Sequence, residues 1–342
     1  MKKSLSFNIA MFVLASFAVV SCSTNEHVNM DVTSIANNDP GDRLCDQVGA
    51  DHNLIMDQMF DEIFRQKPSS RSNVTDPFLP IDPIGPNDPI KPIFIDYKIF
   101  DCIDLLTIPE SEKVEIKKTI SQVHADCLSG KIDTTAVFEP TNQYLTHKAR
   151  LESIIKSDNY DLNSLCQQID AVKQSAKDIE DDVERQAILM GASVAQNSLR
   201  YWHDNFDRIC DSLGFVLPPI IGFERLSMPL VNHSQTRGWL GYNWKQAGVA
   251  DLVGGLTTGT GKFCGACRFL GPAGWKAVAI ATAGGAAFAS LSDLIYQYGS
   301  SGGYSVSIVN TLVDYAYDAT LYELQKDFLV GSIVISPVTP DN

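Results

Sequence analysis

Apolar side chains recur at helical spacing along most of this chain. Leu44, Val48, Ile55, Met59 and Ile63 follow a three-to-four-residue interval, and Leu54, Met56, Phe60 and Phe64 widen the stripe. A helix is predicted from about Asp42 to Gln66. Thr107-Ile108-Pro109-Glu110 has capping-box spacing ahead of the stripe Ile116, Ile120, Val123 and Cys127, which Gly130 stops. Thr141 is placed to open a further helix that turns Tyr144, Leu151 and Ile155 inward. Leu162, Leu165, Ile169, Val172, Ala176, Ile179 and Val183 then alternate spacings of three and four. Ala187, Met190 and Val194 continue the series after one extra residue. The expectation is one long helix, Leu162 to Arg208, ending in Tyr201, Trp202 and Phe206. Its acidic run Asp178, Glu180, Asp181, Asp182 and Glu184 reads as a solvated face, without the ligand spacing of a calcium loop. Near the C-terminus Ile308, Leu312, Tyr315, Ala319 and Tyr322 predict a final helix, after a break at Gly299 to Gly303. Phe328 to Ile335, rich in β-branched residues, predicts a short strand or packed tail.

Two stretches depart from this pattern. Between Pro68 and Tyr97, six prolines (77, 80, 83, 86, 89 and 92) recur every third residue. Polyproline II has three residues per turn, so they share one edge, and Phe78, Ile81, Ile84, Ile90 and Ile93 form a second, apolar edge. A rod of roughly 46 Å laid across the helical body is expected, with an exposed strut or groove ligand as the alternative. The other stretch, Val249 to Tyr296, holds nine Gly and ten Ala in 48 residues. Ala277, Ala281, Gly285 and Ala289 stand four apart and form one shallow ridge on a helix. Gly255 and Gly259, then Gly261 and Gly265, repeat that spacing. Pro272 suits the first turn of a second helix. The prediction is two close-packed helices in a hairpin. Their uncharged run, Ala277 to Ser292, is 16 residues, short of the ~20 that span a bilayer. A buried core pair and a membrane-entering segment are both open readings. Trp239, Tyr242 and Trp244 just before the hairpin suit either a membrane interface or a core lid.

The N-terminus changes the picture. Lys2 and Lys3 precede the apolar run Ile9 to Val20, which ends Val19-Val20-Ser21-Cys22, the layout of an export signal. These residues resemble the lipobox of bacterial lipoproteins, with Val19 where Leu is usual. The resemblance implies cleavage before Cys22, diacylation of its thiol and acylation of its amine, three palmitate-like chains in all, and, because Ser23 and not Asp follows, an outer-membrane address. Signal and lipobox together look like those of exported lipoproteins of the Bacteroidota. The Gly/Ala stretch is similar to bacteriocin-like glycine-zipper segments. Removal of residues 1–21 would leave a chain long enough for a sizeable core. Ser23 to Asp42, polar and Asn-rich, reads as a tether from the membrane. The formal charge of −14 sets the surface against nucleic acid and anionic headgroups.

Candidate chemistry is sparse. Besides Cys22 there are cysteines 45, 102, 127, 166, 210, 264 and 267, an odd number. Cys264-Gly-Ala-Cys267 has thioredoxin-like spacing without a strand-helix-strand setting, so a structural disulfide or buried thiols are expected there. No second Cys or His pair completes a zinc site, and no other metal or cofactor is indicated. His27, His52, His124, His147, His203 and His233 are scattered. No nucleophile elbow occurs, and Gly254 to Lys262 mimics a phosphate loop with Phe263 where a hydroxyl would hold magnesium. The sequence therefore predicts a mainly α protein that is not an enzyme, unless a site is assembled from residues far apart in the chain. Its parts would be a signal peptide (1–21), a tether (22–42), a helical body (43–244) with one long helix and the Pro-rich segment (68–97) packed on it, a Gly/Ala helical hairpin (245–298), and a C-terminal helix and tail (299–342). The expected role is binding or scaffolding at the outer membrane or cell surface through the lipid anchor, with a protein partner and no nucleic acid. The alternative is a membrane-active protein working through the hairpin.

Overall fold

A computed structural model describes residues 40–65, 93–131, 139–216, 238–239, 242–260, 265, 267–268, 271–301, 303–310 and 329–337. They form a mainly helical protein with a small antiparallel sheet. The helices are α1 (Pro40–Arg65), α2 (Ile99–Leu105), α3 (Glu110–Leu128), α4 (Asn142–Lys156), α5 (Leu162–Ala176), α6 (Asp182–Val216), α7 (Trp244–Gly259) and α8 (Gly271–Ser301). The strands are β1 (Ile93–Lys98), β2 (Gly238–Trp239), β3 (Tyr242–Asn243), β4 (Tyr304–Asn310) and β5 (Leu329–Pro337).

Local signals account for many of the helix ends. Thr141 caps α4, its hydroxyl accepting from the Tyr144 N–H at 3.3 Å, and Tyr144, Leu151 and Ile155 are buried as the spacing predicts. Gly130 takes φ +70° just past α3, and the Lys131 N–H closes on the Asp126 carbonyl five residues back. That six-to-one bond is the Schellman stop, which needs a left-handed residue that glycine adopts without penalty. At the other end of α3, Pro109 takes the cap position in place of Thr107: its carbonyl accepts from the N–H groups of Glu112 and Lys113. Asn243 and Gln246 form a reciprocal capping box at the start of α7.

The single long helix expected over Leu162 to Arg208 is two. α5 stops at Ala176 and α6 starts at Asp182. Asp181 is the reason: its carboxylate accepts from the Glu184 N–H at 2.9 Å, capping a new helix. Ile179 fills the junction as a buried plug. The extra residue in the heptad count, between Val183 and Ala187, falls just past this break, in the first turns of α6.

The Gly/Ala hairpin is present and central. α8 runs alongside α7 and also packs on α1, α2, α3, α6, β4 and β5. A Cβ on Gly254 would lie 2.5 Å from the Ala289 methyl and 2.8 Å from the Gly285 carbonyl. One on Gly285 would overlap Thr258, and one on Gly259 would reach the Thr282 hydroxyl at 3.0 Å. The face of α8 that meets α7 is therefore Thr282, Gly285, Ala286 and Ala289. Of the predicted ridge, Gly285 and Ala289 lie on it, and Ala277 and Ala281 are buried. On other faces Gly284 approaches the Cys102 sulfur of α2, and the Phe288 ring lies against Gly331 of β5. α8 is long and apolar enough to cross a membrane, yet 89% of its most apolar window is buried inside the protein.

The sheet joins the middle of the chain to its end. Its order is β1-β5-β4, with Ile95 opposite Ile333, both buried against the helices, and Ile333 opposite Ile308, which is exposed on the edge strand β4. The Tyr97 hydroxyl donates to the Met59 carbonyl at 3.1 Å and ties β1 to α1. Residues 93–97, assigned above to the polyproline rod, are strand, and Ile308, assigned to a terminal helix, lies on β4. The predicted Phe328–Ile335 strand is β5. The rest of the Pro-rich segment and Leu312 to Tyr322 lie outside the described residues.

Candidate functional site

The sequence-predicted residues divide as follows. Cys22 and Cys264 lie outside the described residues, and Cys267 is buried. Residues 254–259 of the phosphate-loop mimic are helical, so their backbone N–H groups point along α7; residues 261–262 lie outside the described residues. Trp244 is buried at the start of α7, its ring edge-on to His203 at 5.3 Å. Among the described residues no three His, Cys, Asp or Glu side chains converge as for a metal. The acidic run is exposed at Asp178, Glu180, Asp181 and Asp182, but Glu184 is buried. Its carboxylate accepts from the Thr141 N–H at 2.6 Å and from the Thr141 hydroxyl, so it anchors the start of α4 and is not part of a solvated face.

The densest buried polar group is a cluster that the sequence reading did not single out. Asp251, on α7, is fully buried. Its Oδ2 accepts from the Ser198 hydroxyl at 2.5 Å and from the Trp202 indole N–H at 2.8 Å, both on α6. Its Oδ1 lies 3.2 Å from His52 Nε2 on α1, off the axis of a hydrogen bond, so the contact is one of charge. His52 Nδ1 bonds the Asn53 side-chain oxygen at 2.9 Å, and the Asn53 amide donates to the Asn197 carbonyl. Three helices thus meet on one carboxylate.

Small residues make the meeting possible. A Cβ on Gly248 would lie 2.7 Å from Leu199 Cδ2, and one on Gly191 2.5 Å from Leu256 Cδ2, so α6 and α7 approach closely on either side of Asp251. Aromatic rings wall the cluster: Trp202 stands edge-on to Phe60 at 5.7 Å and to Tyr201 at 5.8 Å.

Burial alone would lower the His52 pKa, but the Asp251 charge, aided by the Asp251 and Asn53 contacts, outweighs it and raises it above its ordinary value. When it carries its second proton, His52 is the counter-ion to this buried carboxylate. Ser198 donates to Asp251 and not to His52, and none of the three has an exposed surface, so the set is not a nucleophile with its base.

Neither sequence nor fold finds a relative. No family model, curated protein or solved structure matches this chain.

A second buried charge lies at the start of the same helix. Lys245 donates to the Ser157 carbonyl and, at 2.7 Å, to the Asn159 carbonyl, with its ammonium 4.5 Å from the Tyr160 ring centre. It fastens the α4–α5 turn to α7. Burial brings its pKa down to about 8, against the opposing pull of Asp158. One signal in the sequence pointed to both sites: Lys245 and Asp251 are the only charges in α7, an otherwise Gly- and Ala-rich helix. A charge kept in such a helix needs a partner.

Proposed function

We propose that this chain is a lipid-anchored, exported protein whose helical body serves binding or scaffolding at the outer membrane. The observation that carries the proposal is the order Lys2-Lys3, apolar Ile9 to Val20, then Ser21-Cys22. The burial of α8 supports a hairpin that acts as core, and the net charge of −14 favours neutral or cationic protein partners over nucleic acid. Three acyl chains would hold the protein far more firmly than the marginal single chain of a myristoylated one. The test is metabolic labelling with an alkyne fatty acid in a bacterial host. Wild-type chain is expected to take up label and fractionate with membranes, and Cys22→Ser to do neither. Equal labelling of the two, or none of the wild type, removes the proposal.

One feature favours a second reading. α8 has the length and composition of a membrane span. If the hairpin acts on bilayers, purified protein releases dye from zwitterionic or anionic liposomes after protease or pH treatment. Retention of dye under every treatment eliminates this reading and leaves the first untouched.

A further inference from the structure

We infer that the His52–Asp251 pair is a proton-operated latch that holds α7, and through it α8, in the bundle. The inference rests on the geometry of the cluster and not on the lipid anchor. Asp251 is the point where α7 is fixed to α1 and α6 by polar contacts: His52 from one helix, Ser198 and Trp202 from the other. α7 in turn covers the small-residue face of α8. Among the described residues, His52 is the cation that Asp251 meets.

The surrounding charges are engaged elsewhere. On α1, Asp51 accepts from Gln47, and Asp57 accepts from the Tyr201 hydroxyl of α6. On α6, Arg200 lies by the Cys166 thiol, His203 pairs with Asp204, and Glu184 accepts from Thr141. On α7, Lys245 is held by the Ser157 and Asn159 carbonyls. The charged side chains of α8 are Lys276, paired with Glu112 of α3, and Asp293. Loss of the His52 proton therefore leaves a fully buried carboxylate with two neutral donors and no counter-ion, which is the costly arrangement.

The sign follows from linkage. A histidine that binds its proton more tightly folded than unfolded contributes stability that is complete below its unfolded pKa. That contribution is lost as pH rises through the folded value. The latch is closed in mildly acidic medium and opens toward alkaline pH. Lys245 acts in the opposite direction, since its folded pKa is lowered, so the two are separable.

The test uses the full chain, labelled with carbon-13 histidine, with the His52 resonance assigned by the His52→Gln variant. Its ring is expected to titrate above about 6.5, the ordinary histidine value. Amide protection along α7, corrected for intrinsic exchange, is expected to fall as pH rises through that titration. The fall should be about tenfold for each unit by which the His52 pKa exceeds its ordinary value. Asp251→Asn, which keeps acceptors for Ser198 and Trp202 but removes the charge, should make the protection level over the same range. A His52 ring that titrates at or below its ordinary value, or α7 protection that stays constant with pH in the wild type, overturns the latch. Those two wild-type measurements decide the matter even if the variants do not fold.

Discussion

At the scale of single residues, buried charges fix how the helices meet. Glu184, Lys245 and Asp251 are each at least nine-tenths buried, and each binds a different neighbouring segment. Lys245 has a consequence that can be measured. Its folded pKa of about 8 lies below its ordinary 10.5, so the unfolded chain holds the proton more tightly and stability rises with pH between those values. The wild type should gain on Lys245→Met by about 1–3 kcal/mol over that interval, read as a difference in denaturant midpoints. A difference that is flat with pH would show the ammonium to be solvated. Burial also pushes the Cys102 thiol up to about 12, so this cysteine of α2 is an inert core residue facing Gly284. The scattered look of the histidines in sequence hid His52, because its partner sits on a helix far along the chain. No local spacing can encode that meeting.

At the scale of elements, what was legible was what is local. Helix α1, the Thr141 cap, the Gly130 stop and the inward stripe of α5 all follow from neighbours within a few residues. The break between α5 and α6 was legible too, since Asp181 and Glu184 have capping-box spacing, but an unbroken apolar count masked it. Apolar spacing reports the face a helix buries and not whether the helix is continuous. The small-residue spacing predicts a close helix pair, and α7 and α8 form one. Its contact face, Thr282, Gly285, Ala286 and Ala289, is turned from the predicted ridge, because that ridge assumed a strict interval of four. Gly285→Leu tests the pair directly. The new side chain would displace Thr258, and overpacking of this kind costs about 1–3 kcal/mol. A variant that melts with the wild type would mean that the two helices do not pack as described.

At the scale of the whole molecule, one core includes the hairpin, the helical body and the sheet. The hairpin is a central part of that core, since α8 touches helices on several sides and the sheet beneath. A long apolar helix with its surface this well covered gains burial from its neighbours and has no need of lipid in this arrangement. The sheet was the part least visible in advance. Ile93 and Ile335 are paired across most of the described chain, and only one of its three strands carried a sequence signal that was read as such.

The pairing of β1 with β5 also orders events during synthesis. β1 leaves the ribosome well before its neighbour β5, with most of the helices made in between, and the central strand must arrive before either edge can bond to it. A contact that spans so much chain closes slowly, while the helices between can already associate. Phe288 waits uncovered on α8 until Gly331 arrives beneath its ring. A nascent chain stalled short of β5 would thus hold a nearly complete bundle with one apolar flank still bare.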